Sequence, residues 1–186
     1  MAVVINATVG SASANSYLTL AEATAIIDGL VESDAVQAWT NGQTDGKNRA
    51  LFTAAQRLDR ERFLGARTDD VQALQWPRSG VRKPDTYINT YAVGFPFRIT
   101  TDYFDDDEIP SQIKYAQAYL AAYLHHDHNA LELSGLEDYK SVSIGSISVT
   151  TNTSGAVGAD KIPPMVERYL IGLRLGGPGN IAIRRS

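Results

Sequence analysis

The sequence predicts a mainly α-helical domain: a bundle of about four helices with a small β hairpin or strand element and extended arms at both ends. Three observations lead there. Apolar residues recur at three- and four-residue steps in two long segments, Lys47 to Leu64 and Ile113 to Leu124. One short stretch, Val142 to Val149, instead alternates apolar residues with serine and threonine. The opening residues are small and weakly periodic, and a glycine-rich stretch sets the last six residues apart. A chain of 186 residues, 44% hydrophobic and 20% charged, has enough apolar side chain for one sizeable core. The expected boundaries are an N-terminal arm over 1–16, a helical body over 17–175 and a C-terminal tail over 176–186.

Taken in order, Thr19-Leu20-Ala21-Glu22 is a capping box that opens a helix running to about Asp28, where Gly29 stops it. Asp34 to Trp39 adds a short turn, broken at Asn41-Gly42. The Lys47 to Leu64 helix buries Leu51, Ala54, Ala55, Leu58 and Leu64 and ends at Gly65. Arg67 to Gly94 reads as an ordered loop pinned to the core by Trp76. Phe95 to Phe104 forms a strand interrupted by Pro96. A long helix starts at Pro110, with the acids before it favouring its dipole. The alternation around Gly145 predicts a bulged strand or a tight hairpin. Asn152 to Asp160 is a flexible linker. Pro163-Pro164 opens a last helix, Met165 to about Leu173, and Gly176-Gly177-Pro178-Gly179 stops it.

Chemistry is mostly excluded. The chain has no cysteine, which removes disulfides, thiolate nucleophiles, Cys-ligated zinc and iron-sulfur clusters. No signal peptide or membrane-spanning run is expected. His125 and His128 have the spacing of two metal ligands on one helical face, but a polar C-terminal turn of a helix explains them as well. The acids at 102–108 lack the order of a calcium loop. No nucleophile elbow or phosphate loop occurs. The expectation is a protein without catalysis, cofactor or metal. Net charge is -4, yet residues 161–186 carry +4 and residues 1–160 carry -8. Residues 47–83 hold nine bases and four acids, and the helix there is a candidate for nucleic-acid phosphates, with Trp76 or Tyr87 as stacking platforms. Asp59 and Glu61 interrupt that basic face, which argues against it. Such segregated charge serves association between copies or with a partner, or simple solvation.

Several pieces together resemble the head-to-tail adaptor proteins of tailed bacteriophages, a family also labelled DnaT-like single-stranded DNA-binding proteins. They are Asn15-Ser16-Tyr17-Leu18-Thr19-Leu20-Ala21-Glu22-Ala23, Ala54-Ala55-Gln56-Arg57-Leu58-Asp59, Gly65-Ala66-Arg67-Thr68, and Gln72-Ala73-Leu74-Gln75-Trp76-Pro77-Arg78-Ser79-Gly80. Ile109-Pro110, Ala116-Gln117, Gly145 to Val149 and Ile162-Pro163-Pro164 follow in register. The resemblance implies a structural virion protein of the neck, made in the host bacterial cytoplasm. Copies would form a ring of twelve on the portal protein, extend the DNA channel and present a surface to the next tail or neck protein. Packaged double-stranded DNA would pass without specific binding, and no membrane is involved. The alternative function is a single-stranded DNA-binding module.

Two sets of residues are candidate sites. Asp102, Asp105, Asp106, Asp107 and Glu108 would repel DNA phosphates if they line the channel; outer-surface solubility with helix capping is the other reading. Ile181, Ala182, Ile183, Arg184, Arg185 and Ser186 are expected to dock on the portal, since the glycines before them decouple the segment from the body. A frayed terminus is the alternative.

Overall fold

Thr19 and Glu22 satisfy each other as the capping box requires: the threonine Oγ1 accepts from the Glu22 amide, and the glutamate carboxylate accepts from the Thr19 amide at 2.8 Å. Helix α1, Leu20–Asp28, begins there. The computed structural model describes residues 2–84, 102–127 and 162–175, together with the backbone of 141–144 and 147–150. Within them follow α2 (Asp34–Asn41), capped by Ser33, and α3 (Thr44–Leu58). Then come β1 (Ala66–Arg67), β2 (Arg78–Ser79), α4 (Ser111–His126), β3 (Ser141–Ile144), β4 (Ile147–Thr150) and α5 (Pro164–Tyr169). The fold is mainly helical, with two small antiparallel pairs, β1 with β2 and β3 with β4.

Helix α4 is the axis of the core. Ile113, Ala116, Leu120, Ala121 and Leu124 are buried along it, against Leu51, Ala54 and Leu58 of α3, Ala23 and Ile27 of α1, Trp39 of α2 and Val166 of α5. Each leucine, isoleucine or valine among them contributes about 1.5 to 3 kcal/mol on leaving water, so the helices are held by their apolar faces and not by intrinsic propensity. Trp76 is buried as expected, its ring edge-on to Phe63 at 5.7 Å and to Phe104 at 6.3 Å.

Several expectations shift. Helix α3 starts earlier, at Thr44, and ends at Leu58; Phe63 and Leu64 continue the apolar pattern in extended backbone. That backbone pairs with the chain after α5, where the Leu64 amide donates to the Leu173 carbonyl at 2.9 Å and Phe63 bridges Arg174. A partner so far along the chain leaves no local mark in the periodicity. Gly65 therefore ends no helix; it turns the chain into β1. The last helix is shorter than expected, ending at Tyr169. Pro110 caps α4 instead of opening it, and no side chain of the preceding acids makes a cap bond. The alternation around Gly145 is a hairpin, with Val142 opposite Val149 and Ile144 opposite Ile147.

The N-terminal arm is tied down. It doubles back so that the Asn6 amide donates to Asn15 Oδ1 and the Asn15 amide donates to the Asn6 carbonyl, the Val3 carbonyl accepts from Asn48, and the Ser11 carbonyl accepts from the Ala73 amide at 3.1 Å. Of the expected strand ending at Phe104, the described end runs antiparallel to 81–83: Phe104 donates to the Val81 carbonyl and Lys83 to the Asp102 carbonyl at 2.9 Å. The remainder of that strand, the linker at 152–160 and the tail at 176–186 lie outside the described residues.

Candidate functional site

The pieces that carry the family resemblance meet in one place. Gln117, fully buried on α4, accepts the Tyr17 amide at 2.9 Å with its Oε1. Its Nε2 donates to the Ser16 hydroxyl at 2.8 Å and to the Leu51 carbonyl at 2.9 Å. One buried amide thus joins the segment before α1, helix α3 and helix α4, using donors and acceptor alike. Tyr17 then reaches across: its hydroxyl donates to the Asp59 carboxylate, which also accepts the Gln75 amide. Burial, and next the Asp59 charge, hold the Tyr17 phenol well above its ordinary value. Burial also raises Asp59, although the bonds from Tyr17 and Gln75 oppose the rise.

From Gln75 the network enters the loop between β1 and β2, where the Trp76–Pro77 peptide is cis. Arg78 is buried and donates to a set of carbonyls: Leu64 at 2.7 Å through Nε, Gly65 at 2.7 Å through Nη2, and Gln75 through Nη1. It also donates to the Gln75 side chain at 2.9 Å. Gln72, equally buried, donates to the Leu74 and Pro77 carbonyls and accepts the Asp69 amide. Arg67 closes the loop onto the Asp70 and Gln72 carbonyls. These groups fold a loop, their donors spent on its own carbonyls and side chains. Gly65 adds a steric requirement, with a φ of +69 and a position where a β-carbon would meet the Ser79 carbonyl and lie 2.7 Å from Val81 Cγ2. Gly65→Ala is expected to cost at least about 2 kcal/mol, since left-handed backbone alone costs an L-residue roughly 1 to 2 kcal/mol. Urea unfolding of the variant measures it.

A surface groove opens among these elements. It has a volume of ≈ 430 Å³ and lies between the α1–α2 loop, α4 and α5, lined by Val31, Glu32, Tyr119, Tyr123, Met165 and Val166 among others. On its α4 side Tyr119, which bonds Tyr169, has its phenol pushed up to about 12, first by that bond and then by burial.

Compared with known families, the whole chain, residues 1–186, matches the one described as "Putative DnaT-like ssDNA binding protein". The chain belongs to this DnaT-like family. No curated protein and no solved structure matches it. In this DnaT-like chain Ser16, Tyr17, Asp59, Gln75, Arg78 and Gln117, all within the segments that carry the resemblance, act as a folding signature.

The outer surfaces bear on each candidate in turn. Asp102, Asp105, Asp106 and Asp107 are exposed and Glu108 half-buried. They form a turn, with the Glu108 amide on the Asp105 carbonyl, and Thr68 holds it through the Asp106 carbonyl at 2.8 Å. Lys83 stands 3.7 Å from Asp102. His125 is half-buried, edge-on to Trp39 at 5.7 Å, and packs where β-carbons on Gly42 and Gly46 would sit. It is a packing residue as well as a polar helix end. No metal-binding group of three or more ligands occurs among the described residues, and His128 lies outside them. So do Tyr87 and the whole segment Ile181 to Ser186. The nucleic-acid reading of residues 47–83 loses Trp76 as a stacking platform, while Arg49, Arg60, Arg62 and Arg82 are exposed. Trp76 and Trp39 are buried, Arg57 and Arg78 are buried, Arg49 pairs with Asp45 at 2.8 Å, and Lys47 lies over Trp39.

Asp59 makes a further expectation measurable. Its folded value is raised, so the folded state binds the proton more tightly and stability falls as pH rises from the ordinary aspartate value of about 3.9 through the folded value. Asp59→Asn is expected to flatten that part of the curve, seen as melting temperatures of the two proteins that diverge with pH. Parallel curves would show that Asp59 titrates normally.

Sequence reasoning missed Gln117 as a hub and the groove altogether. A glutamine in an apolar stripe is a signal for a buried polar bond, and it was quoted only as part of the resemblance. The groove has no sequence signal, because its lining comes from three separate segments.

Proposed function

We propose that this DnaT-like chain is a structural virion protein: a head-to-tail adaptor of tailed bacteriophages that forms a ring, of twelve copies by the resemblance, on the portal protein. It extends the DNA channel and gives the next neck or tail protein its attachment surface, without catalysing a reaction. It is made in the bacterial cytoplasm and resides in the neck of the virion. The observation that carries this reading is the placement of polar groups. The signature side chains, with the buried Arg57 and Arg78, are used inside the fold, while an apolar groove and an acidic turn face outward. Surfaces of that kind suit assembly better than a phosphate track. The exposed Asp102, Asp105, Asp106 and Asp107, repeated around a ring, would keep passing double-stranded DNA from sticking if they line the channel.

Electron microscopy of the purified chain with its portal tests the proposal. Rings stacked on portals are expected; a chain that stays monomeric in the presence of portal and is missing from virions overturns it. The second reading, a single-stranded DNA-binding module, is favoured by the family description. A gel shift with short single strands separates the two, because a phosphate-driven binder weakens steeply as salt rises.

A further inference from the structure

The groove between the α1–α2 loop, α4 and α5 has an apolar lining that the fold leaves open to solvent. Val31 is 90% exposed at its edge and Met165 57%. Its volume of ≈ 430 Å³ lies in the range of ligand and peptide pockets. Around it the loop from Asp28 to Asp34 carries three acids, Asp28, Glu32 and Asp34, and no base. The matching chemistry is therefore a short segment with apolar residues at alternate positions followed directly by cations. The chain has one such segment of its own, Ile181-Ala182-Ile183-Arg184-Arg185.

Position and the ring reading together favour a neighbour as the supplier. The chain enters its last residues from Leu175, whose amide is bonded to the Arg62 carbonyl just beyond the C-terminal end of α3. The groove lies against the second half of α4, which packs on the start of α3 through His125, and Met165 and Val166 of α5 form its other side. Leu175 follows α5, whose 6 residues span roughly 9 Å, so root and groove are offset along α4. A donor and an acceptor offset along the body link identical copies head to tail, an arrangement that closes into a ring when the rotation permits.

We propose that the groove receives Ile181 and Ile183 of a second copy, with Arg184 and Arg185 set against Glu32 and Asp34 at its rim. This rests on the ring reading and names the contact between neighbours. It also gives the terminal segment a destination other than the portal.

Sedimentation velocity on full-length proteins tests it. The unmodified chain is expected to associate. Two variants, Ile181→Asp/Ile183→Asp in the tail and Val31→Glu/Met165→Glu in the groove, are each expected to associate at least about tenfold more weakly, the equivalent of one buried branched side chain or more. Mixed together, they are expected to form a dimer, because one retains an intact groove and the other an intact tail. A monomeric unmodified chain overturns the proposal, as does a mixture that fails to associate, the result of docking within one chain. A tail variant that associates normally also overturns it, and its failure on the portal would assign the segment there. The ring reading fails separately, through the absence of portal attachment, while the mixing result still stands.

Discussion

Replacing Gln117 with leucine is expected to lower the unfolding free energy by about 2 to 4 kcal/mol, although leucine fits an apolar helix face. The loss comes from the partners. The Tyr17 amide keeps no acceptor and the Ser16 hydroxyl loses a donor, both in the interior, and a buried unpaired group costs about 1 to 3 kcal/mol. For a chain of this size the melting temperature should drop by roughly 5 to 15 °C. Gln117→Glu makes a sharper comparison. The carboxylate still accepts from Tyr17 but cannot donate to Ser16 or Leu51 until protonated, so its stability should recover as pH falls. Hydrogen exchange at the Tyr17 amide checks the assignment directly: it should quicken in the leucine variant beyond what the global loss accounts for. Equal stability of the leucine variant and the parent would mean that the hub contributes nothing net.

Arg78→Met is expected to have a comparable or larger effect, about 3 to 5 kcal/mol, because a charged donor in the interior is tied to five acceptors. Arg78→Lys should recover little of it. An ammonium is a compact point charge, whereas the guanidinium fork spans the carbonyls of Phe63, Leu64, Gly65 and Gln75 at once. Desolvation already pulls the Arg78 value down, so the site tolerates its charge only through those bonds. Loss of the fork should free the loop beside Trp76, and tryptophan emission should shift to the red before global unfolding. Chemical denaturation gives the magnitude and fluorescence gives the location.

The legible parts of this fold are those written in neighbouring residues. The Thr19–Glu22 box, the core stripe of α4, the hairpin alternation and the burial of Trp76 each rest on a spacing of a few positions. The illegible parts are made by distant partners. Helix α3 ends at Leu58 because residues 62–64 find a strand-like partner at 173–175, more than a hundred positions away. The acids before α4 suggest capping by charge, yet the chain holds them in a turn through Thr68. At the level of sites, the signature was visible as a resemblance and its role was not, because Gln117, Tyr17 and Asp59 become one network only after three helices have packed. The groove depends on the relative placement of α1, α2, α4 and α5, which no single segment encodes.

The paired backbone at 81–83 and 102–104 has an architectural consequence. Hydrogen-bonded strands stand about 4.7 to 4.9 Å apart, so Lys83 and Asp102 are held side by side although the chain between them is long. A tight turn of two residues would close the same gap. The same pairing brings Phe104 against Trp76 and so couples the entry to α4 to the loop after β2. Loop length adds only slowly to the entropy of closure, about 0.6 kcal/mol per doubling. The cost of holding the two sides together is therefore set mainly by the paired residues themselves, and hardly by the number of residues that join them.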